Sequence, residues 1–255
     1  MFDTHLHTEF STDSKMTIGE AIKASKDNNL GIIVTEHMDL GLKDENKFCF
    51  HVPSYFEKYN EYRNNKLLLG IELGMEKDLI EEGKEVINSG EFDYVIGSIH
   101  LIDKVDLYLD EFYKDKSKEE AFHIYFRNMR HSLEKYDFVD SLGHIDYISR
   151  YANYEDPDIN YDIFKEDIDE VLKVIVEKEK SMEINTRRLN DKRVVENLVK
   201  IYKKFYELGG RTVTLGSDSH NAKDIGNRLR FGKEIADHCN LKVVYYKNRK
   251  PEYDK

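Results

Sequence analysis

Short runs of apolar and β-branched residues recur along the 255-residue chain, separated by longer stretches whose apolar positions return every three or four residues. The runs fall at 1–6 (MFDTHL), 31–35 (GIIVT), 67–71 (LLLGI), 94–99 (YVIGSI), 138–143 (FVDSLG), 181–185 (SMEIN) and 212–216 (TVTLG). Short and apolar on both faces, they read as buried parallel strands. Between them, KEEAFHIYFRNMRHSLEKY places Phe122, Tyr125, Phe126, Met129, Leu133 and Tyr136 on one face of a helix. KRVVENLVKIYKKFYELGG repeats the pattern with Val195, Leu198, Tyr202, Phe205 and Tyr206, and closes on Gly209 and Gly210, which suit a left-handed helix stop. The acidic run EDPDINYDIFKEDIDE reads as the solvated start of another helix. Strand alternating with helix seven times over predicts an α/β fold with a parallel sheet. A closed or nearly closed (β/α) barrel fits best, one strand short of the usual eight, with its site at the C-terminal ends of the strands.

Those ends carry the chemistry. The first strand runs into His5 and His7, with Asp13 in the loop beyond. The second ends in TEH (Glu36, His37), the third in GIE (Glu72) and the fourth in GSIH (His100). The fifth runs into GHID (His144, Asp146), the sixth carries EIN (Glu183, Asn185), and the seventh ends in GSDSH (Asp218, His220). His5 and His7 stand two apart on one strand, so their side chains point the same way. A lone histidine is more often a core residue than a ligand, and histidines 51, 123, 131 and 238, in helices or loops, keep that structural reading. Six histidines on one rim reverse it. With Asp13, Glu72 and Asp218 they form a nitrogen and oxygen ligand set without thiolates, suited to zinc, manganese or iron. Nine ligands are too many for one ion and enough for two or three. Three divalent ions, offset by three carboxylates and a bridging hydroxide, leave two positive charges, a match for a phosphate dianion. Glu183, Asn185 and Asp146 either orient ligand histidines by hydrogen bonds or are structural.

Composition narrows the partners. The formal charge of −11 argues against a general nucleic-acid or membrane-surface binder, while leaving room for a small anionic substrate held at metal. Three prolines and no linker-like or repeated segment favour one domain over 1–255. Cys49 and Cys239 read as buried thiols rather than a disulfide. No apolar run suggests a membrane span and no leader pattern opens the chain, so a cytoplasmic globular protein is expected.

DTHLHTEFSTD, TEH, GIE, GSIH, GHID, EIN and GSDSH, in this order, resemble the PHP (polymerase and histidinol phosphatase) superfamily. The length, GHIDYISRY and the tail VVYYKNRKPEY are similar to its monofunctional histidinol-phosphatase branch. The resemblance implies a distorted seven-stranded (β/α) TIM-like barrel with a trinuclear centre. One ion would take His5, His7, Glu72 and Asp218; a second would share Glu72 and add His100 and His144; the third would take Asp13, His37 and His220. Some relatives carry histidine where this chain has Asp13, so the site is more anionic here. The implied reaction is hydrolysis of L-histidinol phosphate by in-line attack of a metal-bridging hydroxide. Asp13 or His220 would assist the leaving group. Arg150 is the leading candidate for a phosphate contact through its guanidinium, with Arg187 and Arg188 competing. Glu9, Phe10, Tyr108 and Tyr147 are offered as contacts for the amine and imidazole of the substrate. The rivals are a PHP-type phosphodiesterase or nucleotidase, an amidohydrolase and a non-catalytic metal-stabilised domain. An amidohydrolase would want a bridging lysine or a different carboxylate pattern, and the strand-three Glu72 speaks against it.

Overall fold

Each of the seven predicted runs coincides with or overlaps a strand, the second and third strands extending three residues past their runs. The computed structural model describes residues 1–42, 44 and 47–253. The strands are β1 (Phe2–Asp3), β2 (Gly31–Met38), β3 (Leu67–Gly74) and β4 (Tyr94–Ser98), then a small hairpin of β5 (Leu101–Ile102) and β6 (Val105–Asp106), then β7 (Ser141–Leu142), β8 (Ser181–Asn185) and β9 (Thr212–Gly216). All eight residues of β2 and all eight of β3 are buried, as a parallel strand covered on both faces requires. Every pairing among β1, β2, β3, β4, β7, β8 and β9 is parallel.

The sheet nevertheless departs from a seven-stranded barrel. Among the described residues it has nine strands, in the order β1-β2-β3-β4-β7-β8-β9-β10-β11, because a C-terminal hairpin of β10 (Lys242–Lys247) and β11 (Lys250–Tyr253) is added to it. β10 takes the ladder edge of β9, pairing Lys242 with Thr212 and Val243 with Val213. No continuous ladder joins β1 to β9. Instead the backbone beyond β1 bonds to the segment beyond β9: Asp218 N donates to His5 O (2.8 Å) and His7 N to Ser219 O (2.9 Å), with one parallel bridge at Leu6 and Ser219. Beneath the site Phe2, Ile33, Leu68, Tyr94, Ile96, Val244 and Tyr246 form an inner core, so the C-terminal hairpin packs the end of the sheet opposite the histidines.

Helices cover the outside: α1 (Ile18–Asp27), α2 (Val52–Tyr59), α3 (Ile80–Asn88), α4 (Asp110–Tyr113), α5 (Lys118–Lys135), α6 (Tyr161–Glu177), α7 (Lys192–Leu208) and α8 (Leu229–His238). Reciprocal capping boxes, Thr17 with Glu20 and Ser117 with Glu120, start α1 and α5 by satisfying their first free N–H groups. The apolar stripe of α5 is buried as predicted. In α7 Leu198, Tyr202 and Phe205 are buried as predicted, but Val194 and Ile201 complete the stripe, while Val195 is half-buried and Tyr206 lies against Arg211 at the surface. Gly209 ends α7 at φ 114, a backbone conformation only glycine adopts without strain. The acidic run does lead into α6, but it is not solvated throughout, since Asp158 is buried on Arg188. Cys239 is buried, Cys49 is half-buried, and no disulfide joins them. Among the described residues no helix is long and apolar enough to cross a membrane.

Candidate metal centre

Glu72, at the end of β3 and fully buried, is the hub. Its carboxylate lies 2.7 Å from His37 Nδ1, 2.8 Å from His144 Nε2, 3.2 Å from His100 Nε2, 3.3 Å from His5 Nε2 and 3.6 Å from His7 Nε2. Asp218 reaches the same group from beyond β9, 3.5 Å from His7 Nε2 and 3.9 Å from His5 Nε2. Its backbone is held at φ 54, a left-handed conformation that Asp tolerates better than most residues. Asp13 and His220 close the outer edge, with Asp13 Oδ2 2.9 Å from His220 Nε2 and 3.7 Å from His37 Nε2. All nine predicted ligands are therefore in one cluster. His51, His123 and His131 lie elsewhere, on Ser54, Asp167 and Glu134, and His238 ends α8.

Several features of this cluster fit cations. Donor atoms of His5, His7 and Glu72 lie within 4.8 Å of one another, as do those of Glu72, His100 and His144, and those of His7, His37 and His220. The Nε2 atoms of His5 and His7 face each other at 3.1 Å, and those of His100 and His144 at 3.5 Å. Two lone pairs so placed repel unless a proton or a cation lies between them. His37 Nδ1 and Glu72 Oε2, although close, are not aligned for a hydrogen bond, and both are buried without one. Buried polar atoms are rarely left so, and a coordinated ion would satisfy both.

The far ring nitrogens are fixed from outside. His5 Nδ1 meets Glu183 Oε1 at 2.7 Å, and His100 Nδ1 meets Asp39 Oδ1 at 2.8 Å. Such carboxylates select the tautomer with Nε2 bare, the nitrogen a metal needs. Glycine makes both contacts possible: a side chain at Gly216 would collide with the Glu183 carboxylate, and one at Gly74 with that of Asp39. Asn185 Nδ2 bonds to Glu183 (3.2 Å) and Asp218 (3.3 Å), so Glu183 and Asn185 both reach the cluster. Asp146 does not; it pairs with Arg188 at 3.2 Å. Asp39 was missed from sequence, where a carboxylate two residues past His37 reads as ordinary loop polarity.

Electrostatics follow from this crowding. Burial opposes charge on His37, but Glu72 and Asp13 outweigh it and lift its pKa to about 10. His5 is likewise raised well above the ordinary value, by Glu183, Glu72 and Asp218 against its burial. His7 goes the other way, kept neutral by burial and by His37 and His220. Glu72 is held well below the carboxylate range, its burial outweighed by His5, His100 and His37. Histidines with raised pKa stabilise the metal-free fold fully below the unfolded value of about 6.5, and the contribution is lost as pH rises toward the folded value. The melting temperature of metal-stripped protein is therefore expected to fall between about pH 6.5 and 10, whereas metal-loaded protein, whose ligand histidines are already neutral, stays flat. Calorimetry of both forms checks this, and a flat metal-free curve would contradict it.

Above the cluster opens a cavity of about 560 Å³. Asp13, His37, His100, His144, Asp218 and His220 line its metal side, and the β5–β6 hairpin supplies Asp106. From His100 an aromatic column runs outward through Tyr147, Tyr151 and Tyr108, with ring spacings of 4.6, 5.2 and 5.1 Å. Tyr108 is 65% exposed at the mouth. Tyr108 and Tyr147 thus line the cavity, whereas Glu9 is paired with Lys58 and Phe10 packs edge-on against Tyr55 and Tyr59, away from it. The three arginines separate. Arg187 lines the cavity, 46% exposed and 3.5 Å from Asp218. Arg150 is buried below it, donating from Nη1 to Asp218 at 2.5 Å, with Nε and Nη2 unpartnered. Arg188 is taken up by Asp146 and Asp158.

Residues 3–187 match the family model of the PHP domain, and the chain belongs to the PHP family. Within that family it falls on the histidinol-phosphatase branch. It is 52% identical over 253 residues to a probable histidinol-phosphatase of Clostridium acetobutylicum, covering 99% of both chains. It is 34% identical over 231 residues to the histidinol-phosphatase of Lactococcus lactis, covering 87% of this chain and 84% of that one. The crystal structure of histidinol phosphate phosphatase from Lactococcus lactis, complexed with zinc, L-histidinol and phosphate, superposes with a TM-score of 0.93 at 30% identity, over 98% of each chain.

Proposed function

We propose that this protein hydrolyses L-histidinol phosphate to L-histidinol and inorganic phosphate, with two or three divalent ions held by His5, His7, Asp13, His37, Glu72, His100, His144, Asp218 and His220. The observation that carries the reading is the convergence of these nitrogen and oxygen donors on one buried carboxylate at the floor of a cavity. The solved relative, which holds zinc, L-histidinol and phosphate, supports the same pairing of metal and ligand. Divalent ions bound there supply Lewis acidity toward the phosphoryl oxygens and lower the pKa of water to near neutrality.

The chain's own residues do the rest. Glu183 and Asp39 hold His5 and His100 with their Nε2 atoms inward. Arg187, exposed toward the cavity, takes the phosphate oxygens, since guanidinium binds them in a bidentate fork. Arg150 keeps Asp218 ionised and in place from beneath. The leaving alkoxide takes its proton at the Asp13–His220 pair on the cavity edge. The hydrogen bonds of His220 and His37 outweigh burial and hold the Asp13 carboxyl far below the usual range. The Tyr147–Tyr151–Tyr108 column offers aromatic faces to the imidazole, and Asp106 an acidic contact for the amine.

A phosphate-release panel tests the reading. kcat/KM for histidinol phosphate is expected to exceed that for a nucleoside monophosphate or a diester by about a hundredfold, the scale that a few specific polar contacts supply. A nucleotide or diester as the better substrate would overturn it.

A further inference from the structure

Glu36 is fully buried at the end of β2, beside His37 in the chain, yet it belongs to none of the donor groups around Glu72. Among the described residues no lysine or arginine pairs with it. Its carboxylate is met only by hydrogen-bond donors. Thr8 N lies 3.1 and 3.0 Å from its two oxygens, the Thr8 hydroxyl donates to Oε1, and the Ser11 hydroxyl donates to Oε2 at 2.6 Å. A buried carboxylate needs a reason, because its desolvation is costly unless hydrogen bonds offset it.

Ser11 supplies the reason. A hydroxyl has one proton and two lone pairs. The proton goes to Glu36, the shortest of its contacts. One lone pair accepts the backbone N–H of His37 at 3.1 Å, which can only donate. The remaining contact is His7 Nδ1 at 3.2 Å, and it too must donate. His7 therefore carries its proton on Nδ1 and presents a bare Nε2 to His5, Glu72 and Asp218. Glu183 does this for His5 and Asp39 for His100 by direct contact; Glu36 does it for His7 through a hydroxyl.

We infer that Glu36 is a positioning residue of the metal centre, acting through Ser11 to fix the tautomer and orientation of His7. The inference rests on the cluster's being a metal site and not on the identity of the substrate.

The test is zinc affinity, measured by chelator competition on the full-length protein and on its Ser11→Ala, Glu36→Gln and doubly substituted variants, with circular dichroism to follow the fold. Each single substitution is expected to weaken zinc binding about 10- to 100-fold, as loss of a group orienting a ligand does. The double variant should bind no more weakly than the worse single, because both changes cut one chain of contacts. Singles within twofold of the parent, or losses that add in the double, would overturn the inference. Should Glu36→Gln not fold, Ser11→Ala alone decides: a tenfold loss with unchanged circular dichroism supports the relay, and unchanged affinity refutes it. A parent protein that bound no zinc would instead remove the metal-centre reading, and a different preferred substrate would leave this result standing.

Discussion

Replacing Glu72 by glutamine is expected to lower turnover of histidinol phosphate at least about a hundredfold, the scale of losing one electrostatic group at a reacting centre, and to deplete bound metal while the fold persists. The substitution keeps the shape and removes the charge on which five histidines converge. It also places an amide NH₂ where an anionic donor is needed, beside imidazoles that cannot all accept. Ser98, which donates to Oε1 at 2.7 Å, remains to hold the side chain, so collapse of the strand is not expected. Kinetics, elemental analysis and circular dichroism on one preparation check the three statements. Near-normal turnover would remove Glu72 from the centre.

The second large effect separates two arginines that sequence placed together. Arg150→Ala leaves Asp218 buried without its guanidinium, and truncating one member of a buried pair typically costs about 3–5 kcal/mol. The loss should appear in chemical denaturation of metal-free protein, accompanied by weaker metal retention, because Asp218 is itself a ligand candidate. Arg187→Ala removes a half-exposed side chain from the cavity wall. It should leave stability and metal content unchanged and raise KM about tenfold or more, as loss of a charge-assisted contact to phosphate predicts. If Arg187→Ala loses metal, or Arg150→Ala changes KM alone, the two roles are exchanged.

That separation marks where sequence reasoning runs out. The strands were legible because a strand buried on both faces is a continuous apolar run, and the candidate ligands were legible because all but Asp13 stand at or just beyond the end of such a run. What holds them was legible only in part, in Glu183 and Asn185. Asp39, Ser11 and Glu36 are ordinary polar residues near a motif, and only the close approach allowed by Gly74, or the meeting of three side chains around one hydroxyl, gives them a role. Arg150 follows GHID as Arg187 and Arg188 follow EIN, but the directions of Arg150 and Arg188 depend on Asp218, Asp146 and Asp158, which lie 30 to 68 positions away in the chain. The last two strands were missed for a related reason. In β10 burial alternates, with Val244 and Tyr246 inward and their neighbours half-exposed, and β11 is exposed throughout, so neither shows the apolar run of the others.

In the proposed mechanism this cluster is a metal centre that drives hydrolysis of histidinol phosphate. The most direct test is phosphate release from L-histidinol phosphate by protein stripped with chelator and then titrated with zinc. Negligible release without metal, rising to a plateau at two or three equivalents per chain, is the predicted result; full release by the stripped protein, or a plateau at one equivalent, would contradict it.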